Sequence, residues 1–390
     1  MARLTAALER GLITESDIQD AARRILAVRF RLGEFDPDAD PYAGITADVV
    51  NCAAHQDLAR EAARRSVVLL RNEGGLLPLP ATTRVAVLGP LAGTLFTDWY
   101  SGTLPYAVTL RDALPDAVHA EGVDRILLSG PGGPVGVGGG LLDVLDWGGG
   151  VLTLRAGGRY VRARDDGVLV ADRTAPGEWV VRETFEVAYA GDEVRLRNVA
   201  LDRWVVVDFD GTPRASAPTA AEATPFTASL VVDGLAAAAE VAAQADVAVV
   251  VLGNHPMVNG RETQDRADLG LPPAQDALLR AVRAANPRTV LVVTSSYPYA
   301  IGWAAEHVPA ILWSSHGGQE SGAALAELLL GRTADGVAVE PTGRLPQTWY
   351  RGAEDLPDLF DYDIIGSEAT YQYFRGRPLF PFGHGLGYTR

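Results

Sequence analysis

Cysteine is almost missing from this chain: Cys52 is the only one in 390 residues. That excludes an intrachain disulfide and any cysteine-based zinc site, and it leaves the redox compartment open. By itself Cys52 reads as a small buried hydrophobe, not as a nucleophile. Lysine is absent altogether, a compositional bias from which no function follows. Positive charge is scarce, with a net charge of -15 and a pI near 4.9. Such a chain lacks the clustered cations that phosphate contacts require, which argues against a nucleic-acid partner or an anionic membrane surface. Neutral carbohydrate is compatible. No run approaches 18 uninterrupted apolar residues, and Arg3, Glu9, Arg10, Glu15 and Asp17 break up the N-terminus, so neither a membrane span nor a signal peptide is expected. The location implied is the cytoplasm, or no assignable compartment. No metal or cofactor is expected. What is present, 47% hydrophobic and 21% charged residues, fits a soluble globular protein of two or three domains.

The first 35 residues read as a helix, a break at Gly11, and a second helix capped by Thr14 with Asp17 three places on. Ile18, Ala22, Ile25 and Leu32 share one face, and Gly33 stops it. Residues 35–45, with Pro37, Pro41 and several Asp, form a polar linker. From Ala54 a helix runs into the apolar Ser66 to Arg71, followed by a second strand at Val85 to Leu88. Val247 to Leu252, Thr289 to Thr294 and Ala310 to Trp313 each follow a helix-like stretch. This alternation predicts an α/β fold, a mostly parallel sheet flanked by helices in an α/β sandwich over residues 46–130 and 232–390. Ligands of such sheets collect where strands end at their carboxyl side.

Residues 131–231 interrupt the pattern. Gly130 to Gly150 reads by composition as a flexible connector, and Val151 to Leu230 alternates like short antiparallel strands. Leu154-Arg, Arg159-Tyr-Val161, Asp166-Gly167 and Phe185 return as Leu196-Arg, Arg203-Trp-Val205, Asp210-Gly211 and Phe226. The repeat resembles the fascin-like lobe of a β-trefoil. A full trefoil has three lobes and two are traceable, which leaves an all-β insertion of another kind open.

The chemistry gathers after the Val247 strand, in Gly253-Asn-His-Pro-Met-Val-Asn-Gly-Arg-Glu-Thr-Gln-Asp-Arg266, then Leu269-Gly-Leu-Pro272 and Gln275. This loop resembles the family 3 glycoside hydrolase pattern in which an acidic residue three places before Asp-Arg is the acid/base of a β-glycosidase. Thr263 stands where that family usually has Gly. Leu58 to Asn72, Leu76-Leu-Pro-Leu79, Val85 to Pro90, Ala285-Asn-Pro287, Ser295 to Pro298, Gly318-Gln-Glu320, Gly343-Arg-Leu-Pro346 and Pro381 to Thr389 follow in the family's order. The resemblance implies retaining hydrolysis of a β-glucoside or β-xyloside, in which one carboxyl protonates the leaving oxygen and another, about 5 Å away, attacks the anomeric carbon. It gives Glu262 the acid/base role, which calls for a carboxyl pKa raised toward neutrality, a shift that Arg261 and Arg266 would oppose. Trp99 and Tyr100, in a segment like the family's aromatic one, together with Asn254, His255 and Arg266, are candidate substrate contacts. Trp99 is equally readable as core. Asp265 and Arg266 are expected to brace the loop as an ion pair, and Gln319-Glu320 to be structural. His316 has no visible acid partner.

In that family the nucleophile sits on a preceding barrel of roughly 250 residues. Residues 1–45 resemble its last helix and the linker leaving it. The chain is therefore expected to be catalytically incomplete, with an oligosaccharide or β-glycoside as substrate and a barrel-bearing chain as a potential partner. A non-catalytic carbohydrate-binding or accessory module is the alternative. A nucleotide-binding fold is disfavoured, since no G-x-G-x-x-G follows the first strand.

Overall fold

The structure, a computed structural model, describes residues 2–36, 38 and 40–388. Pro37 of the expected linker and Thr389 of the last motif lie outside them. The chain divides into two compact units, residues 1–57 and 58–390. In the first, α1 (Ala2–Glu9) and α2 (Glu15–Arg31) are separated at Gly11. The capping box forms as expected: the Thr14 hydroxyl accepts the Asp17 amide at 3.2 Å while the Asp17 carboxylate accepts the Thr14 amide at 2.8 Å. No residue of α2 is buried. Cys52 is only half-buried, so it is not the core hydrophobe its composition suggests.

The second unit is built on a six-stranded sheet. Helix α3 (Ala53–Ser66) enters it and leads directly to β1 (Val68–Asn72), so Ser66 ends the helix and is not part of the strand. Strands β2 (Val85–Leu88) and β3 (Val118–Ala120) follow, with the short helix α4 (Leu110–Ala113) between them. The apolar runs beyond residue 246 become β15 (Val247–Gly253), β16 (Thr289–Thr294) and β17 (Ala310–Ser314), the intervening strands belonging to a second sheet. The order is β1-β17-β16-β15-β2-β3. All neighbours are parallel except β1, an edge strand antiparallel to β17. Helices α5 (Gly234–Ala243), α6 (Pro273–Ala285), α7 (Gly302–His307) and α8 (Ser321–Leu330) cover it. One face buries Val87, Val249, Val292 and Leu328, the other Ala86, Val250, Leu279 and Leu291, which is why the sequence shows continuous apolar runs.

The second sheet is a closed barrel. Its strands are β4 (Asp124–Gly130), β5 (Gly133–Pro134), β6 (Leu141–Asp146), β7 (Val151–Ala156), β8 (Arg159–Ala163), β9 (Leu169–Arg173), β10 (Thr184–Ala190), β11 (Glu193–Asn198), β12 (Arg203–Val207), β13 (Pro213–Ala217) and β14 (Phe226–Val232). Six close a ring, β4-β6-β7-β10-β11-β14 and back to β4, all antiparallel. Two hairpins, β8–β9 and β12–β13, extend from it. The insertion therefore starts at Asp124 and not at residue 131, because β4 is hydrogen-bonded along both edges, to β6 and to β14. The glycine-rich stretch is not a flexible connector either. It contains β5, a 3-10 turn over Gly138–Gly140 with left-handed glycines, and β6, whose Leu142 and Leu145 are buried. The sequence repeat falls on equivalent barrel positions: Leu154 of β7 and Leu196 of β11, then Phe185 of β10 and Phe226 of β14, all in the barrel core.

Among the described residues, no helix is long and apolar enough to cross a membrane, and no group of three or more His, Cys, Asp or Glu side chains is placed to hold a metal ion.

Candidate active site

Strand β15 ends at Gly253, where the backbone turns sharply at φ +149° beside β16. A Cβ here would stand 1.7 Å from the Thr294 carbonyl oxygen, so only glycine fits. The buried Gln275 amide brackets this residue, its Oε1 accepting the Gly253 amide at 2.8 Å and its Nε2 donating to the Gly253 carbonyl at 3.0 Å. The loop that follows carries Glu262.

The base of that loop is buried. Asn254 is fully enclosed, its Oδ1 accepting the Ser296 amide and His316 Nε2, each at 3.0 Å. His255 Nδ1 accepts the Met257 amide at 3.1 Å, which places the proton on Nε2, and among the described residues Nε2 has no hydrogen-bond partner. The ring packs 4.1 Å from Phe96 and 5.6 Å from Trp147. Burial lowers the His255 pKa to about 3, helped by the neighbouring His316, and burial lowers His316 to about 4. Both are neutral at pH 7. Asn254 and His255 therefore brace the loop and offer no surface to a substrate, a correction to their expected place in the pocket lining.

Asn259 ties the loop to the inserted barrel. Its Nδ2 donates to the Trp147 carbonyl at 3.0 Å, its Oδ1 accepts the His255 amide at 2.8 Å, and its own carbonyl accepts the Tyr297 hydroxyl at 2.6 Å. Trp147, from the turn between β6 and β7, is almost wholly buried in the core of the sheet and not in that of the barrel.

Glu262 itself is exposed at the loop's tip, and its Oε2 accepts the hydroxyl of Tyr100. That hydrogen bond to a carboxylate is the main reason the Tyr100 pKa is raised, so the phenol keeps its proton. Tyr100 is presented by a tight turn: the Asp98 Oδ1 accepts the amides of Tyr100 at 2.9 Å and Ser101 at 2.7 Å. The Ser101 hydroxyl also donates to Asp98 and is the largest factor holding that carboxyl below its usual pKa. Trp99 Nε1 donates to the Glu178 carbonyl at 2.8 Å, and its ring lies 4.8 Å from Trp179.

Neither neighbouring arginine pairs with Glu262 among the described residues. Arg261 Nη2 donates to Gln264 Oε1 at 3.0 Å. Arg266 lies over the Tyr297 ring at 3.5 Å and donates to the Pro298 carbonyl at 2.9 Å. The expected Asp265–Arg266 ion pair is absent among the described residues; Asp265 accepts the Arg266 backbone amide instead, at 2.7 Å. The guanidinium is better placed on an aromatic face than beside an exposed, solvated carboxylate. Arg266 lines a groove of about 510 Å³ with Leu269, Pro346, Tyr350 and Tyr371, and a second groove of about 580 Å³ with Trp147, Gly260 and Pro272. Glu262 lines neither. Glu320 is structural, its carboxylate held by Tyr106 and by Arg60 Nε at 2.7 Å.

With this geometry in hand, comparison with known proteins is decisive: residues 67–388 match the glycosyl hydrolase family 3 C-terminal domain. The chain belongs to that family. It is 27% identical to β-D-xylosidase 1 of Arabidopsis thaliana over 98% of its own length and 38% of that protein's. It is 26% identical to a periplasmic β-glucosidase of Salmonella typhimurium, over 99% and 42%. The crystal structure of β-glucosidase from Kluyveromyces marxianus in complex with glucose superposes with a TM-score of 0.62 at 22% identity, covering 99% of this chain and 55% of that one, a likeness of fold. The chain thus spans about two fifths to just over half the length of these relatives.

Of the residues singled out from the family motifs, the fold brings Glu262 and Tyr100 into direct contact, with Trp99 beside them, and places Asn254 and His255 beneath. Motif reading missed Phe96, Trp147, Asn259 and Trp179. Phe96 and Trp147 are buried aromatics with no chemical signature of their own, and Asn259, though inside the quoted loop, owes its role to tertiary contacts. Trp179 had one usable signal, a tryptophan inside the turn-forming Pro176-Gly-Glu-Trp179.

Proposed function

We propose that Glu262 is the general acid/base of a retaining β-glycosidase acting on β-glucosides or β-xylosides, and that this chain supplies that one of the two required carboxylates. The observation that carries the reading is the Tyr100–Glu262 hydrogen bond at the tip of a strand-end loop. In this mechanism the Glu262 carboxyl protonates the glycosidic oxygen while the second carboxylate, about 5 Å away, attacks the anomeric carbon. The Glu262 carboxylate then takes a proton from the water that releases the sugar. Tyr100 donates to Glu262 Oε2 and so orients the carboxyl at the end of the loop. Arg261 and Arg266 are engaged by Gln264, Pro298 and Tyr297 and form no ion pair with Glu262 among the described residues.

The second carboxylate belongs, in this reading, to the barrel that the family resemblance implies, so the 390-residue chain alone does not turn over. The inserted barrel is read as a β-trefoil, its three lobes being the strand pairs β4–β6, β7–β10 and β11–β14. The first lobe has its hairpin reduced to β5.

The test is kinetic. The purified chain is expected to leave 4-nitrophenyl β-glucoside and β-xyloside intact, and to become active when joined to a family barrel. In that active form Glu262→Gln should lower kcat by about 10²- to 10⁴-fold for alkyl glycosides and by less for nitrophenyl ones, whose leaving group departs without a proton. Turnover by the chain alone, or equal losses for both leaving groups, would overturn the proposal.

A further inference from the structure

We infer that Trp179, on the β9–β10 loop of the inserted barrel, forms the outer wall of the site on the leaving-group side of Glu262 and stacks on a flat ring there. The inference rests on the reading of Glu262 as acid/base, because it is beside the acid that the departing group must lie. The Trp179 ring is 65% exposed and is held in place. Trp99 covers one of its faces, with ring centres 4.8 Å apart and planes inclined by 32°. The residue before it, Glu178, has the left-handed φ of +67°, fixed by its carbonyl's bond to Trp99 Nε1 and by an ion pair with Arg173. Two residues after it, Val181 is buried in the core of the six-stranded sheet. The loop is therefore anchored on both sides of the ring, and little freedom remains to be lost on binding. Trp99 adjoins Tyr100, whose hydroxyl bonds to Glu262. An insertion foreign to the sandwich thus contributes an aromatic surface two side chains from the acid/base.

The ligand chemistry is a flat, apolar ring face, either the next sugar of an oligosaccharide or an aryl aglycone. Calorimetric titration of the full chain separates the two, with xylobiose and cellobiose in one arm, 4-nitrophenyl β-xyloside and β-glucoside in the other, and free xylose and glucose as reference. Trp179→Ala is expected to weaken binding by about 3- to 10-fold in at least one arm while leaving the monosaccharides unchanged. Trp179→Phe should retain most of the affinity. Phe209→Ala, which removes a fully exposed ring from the β12–β13 hairpin, should change nothing. A loss confined to the nitrophenyl arm identifies an aryl aglycone, a loss confined to the disaccharide arm identifies a sugar ring, and a loss in both arms identifies a face that takes either. Absence of binding by the unaltered chain, equal affinity for it and Trp179→Ala, or an equal loss for the monosaccharides would overturn the inference. Binding needs no proton transfer, so these outcomes are independent of the leaving-group test of Glu262.

Discussion

Strands β15 and β14 have seven residues each; every residue of β15 is buried, whereas Phe226 alone is buried in β14. The first runs through the middle of a parallel sheet covered on both faces, the second forms part of the wall of a small barrel and beyond Phe226 is exposed on both faces. The difference governs how each region tolerates change. In the sheet, backbone and side chains are confined from every direction, and the loop leaving β15 inherits that confinement. The barrel is confined only inward, and its turns are open.

The sharpest way to break this comparison is to place the same atom at a turn of each. Gly253→Ala sets a Cβ against the Thr294 carbonyl at a φ few side chains adopt, and should cost more than about 4 kcal/mol in urea unfolding or prevent folding. Gly157→Ala, in the β7–β8 turn at φ +57° with open space around it, should cost about 1–2 kcal/mol. Equal costs would mean that the two regions are not differently confined.

Trp147 tests whether the barrel and sheet are separable at all. Trp147→Ala is expected to cost about 3–5 kcal/mol, because the ring is buried among residues of the sheet's core. It should also speed amide hydrogen exchange across residues 254–262, since the Trp147 carbonyl receives Asn259. Unchanged exchange there would show the insertion to be an independent neighbour of the site.

A further effect is in pH dependence. His255 and His316 have folded pKa values of about 3 and about 4, below the usual 6.5, so the unfolded chain binds more protons than the folded one as pH falls below about 6.5. Their contribution to stability is complete above that pH and declines toward pH 4 to 3, by about 1.4 kcal/mol per pH unit for each histidine. His255→Phe should remove about one proton's share of the slope between pH 6 and 4. An unaltered slope would mean that His255 takes up its proton in the folded protein.

Much of the sheet was legible because a strand buried on both faces must be apolar throughout: Val247 to Leu252, Thr289 to Thr294 and Ala310 to Trp313 were found within one residue of their observed ends. Edge strand β3, with two exposed residues of three, left no such mark. The start of the barrel was misplaced for a related reason. Strand β4 is amphipathic and short of glycine, so nothing in its composition separates it from the sandwich, whereas the glycines that follow look like a linker although they form turns of the barrel.

Local sequence alone determined the helix caps, the runs that become the buried strands, and the loop in which Glu262 stands, because each depends on neighbours a few residues apart or on burial from both sides. Tertiary structure decided what surrounds Glu262. Tyr100 reaches it across 162 positions, and Trp179 meets Trp99 from an inserted domain. The parallel pairing of β2 with β15 places the loops of Tyr100 and Glu262 side by side, and the closed barrel, in which β4 and β14 satisfy one another's backbone hydrogen bonds, carries Trp179 to them.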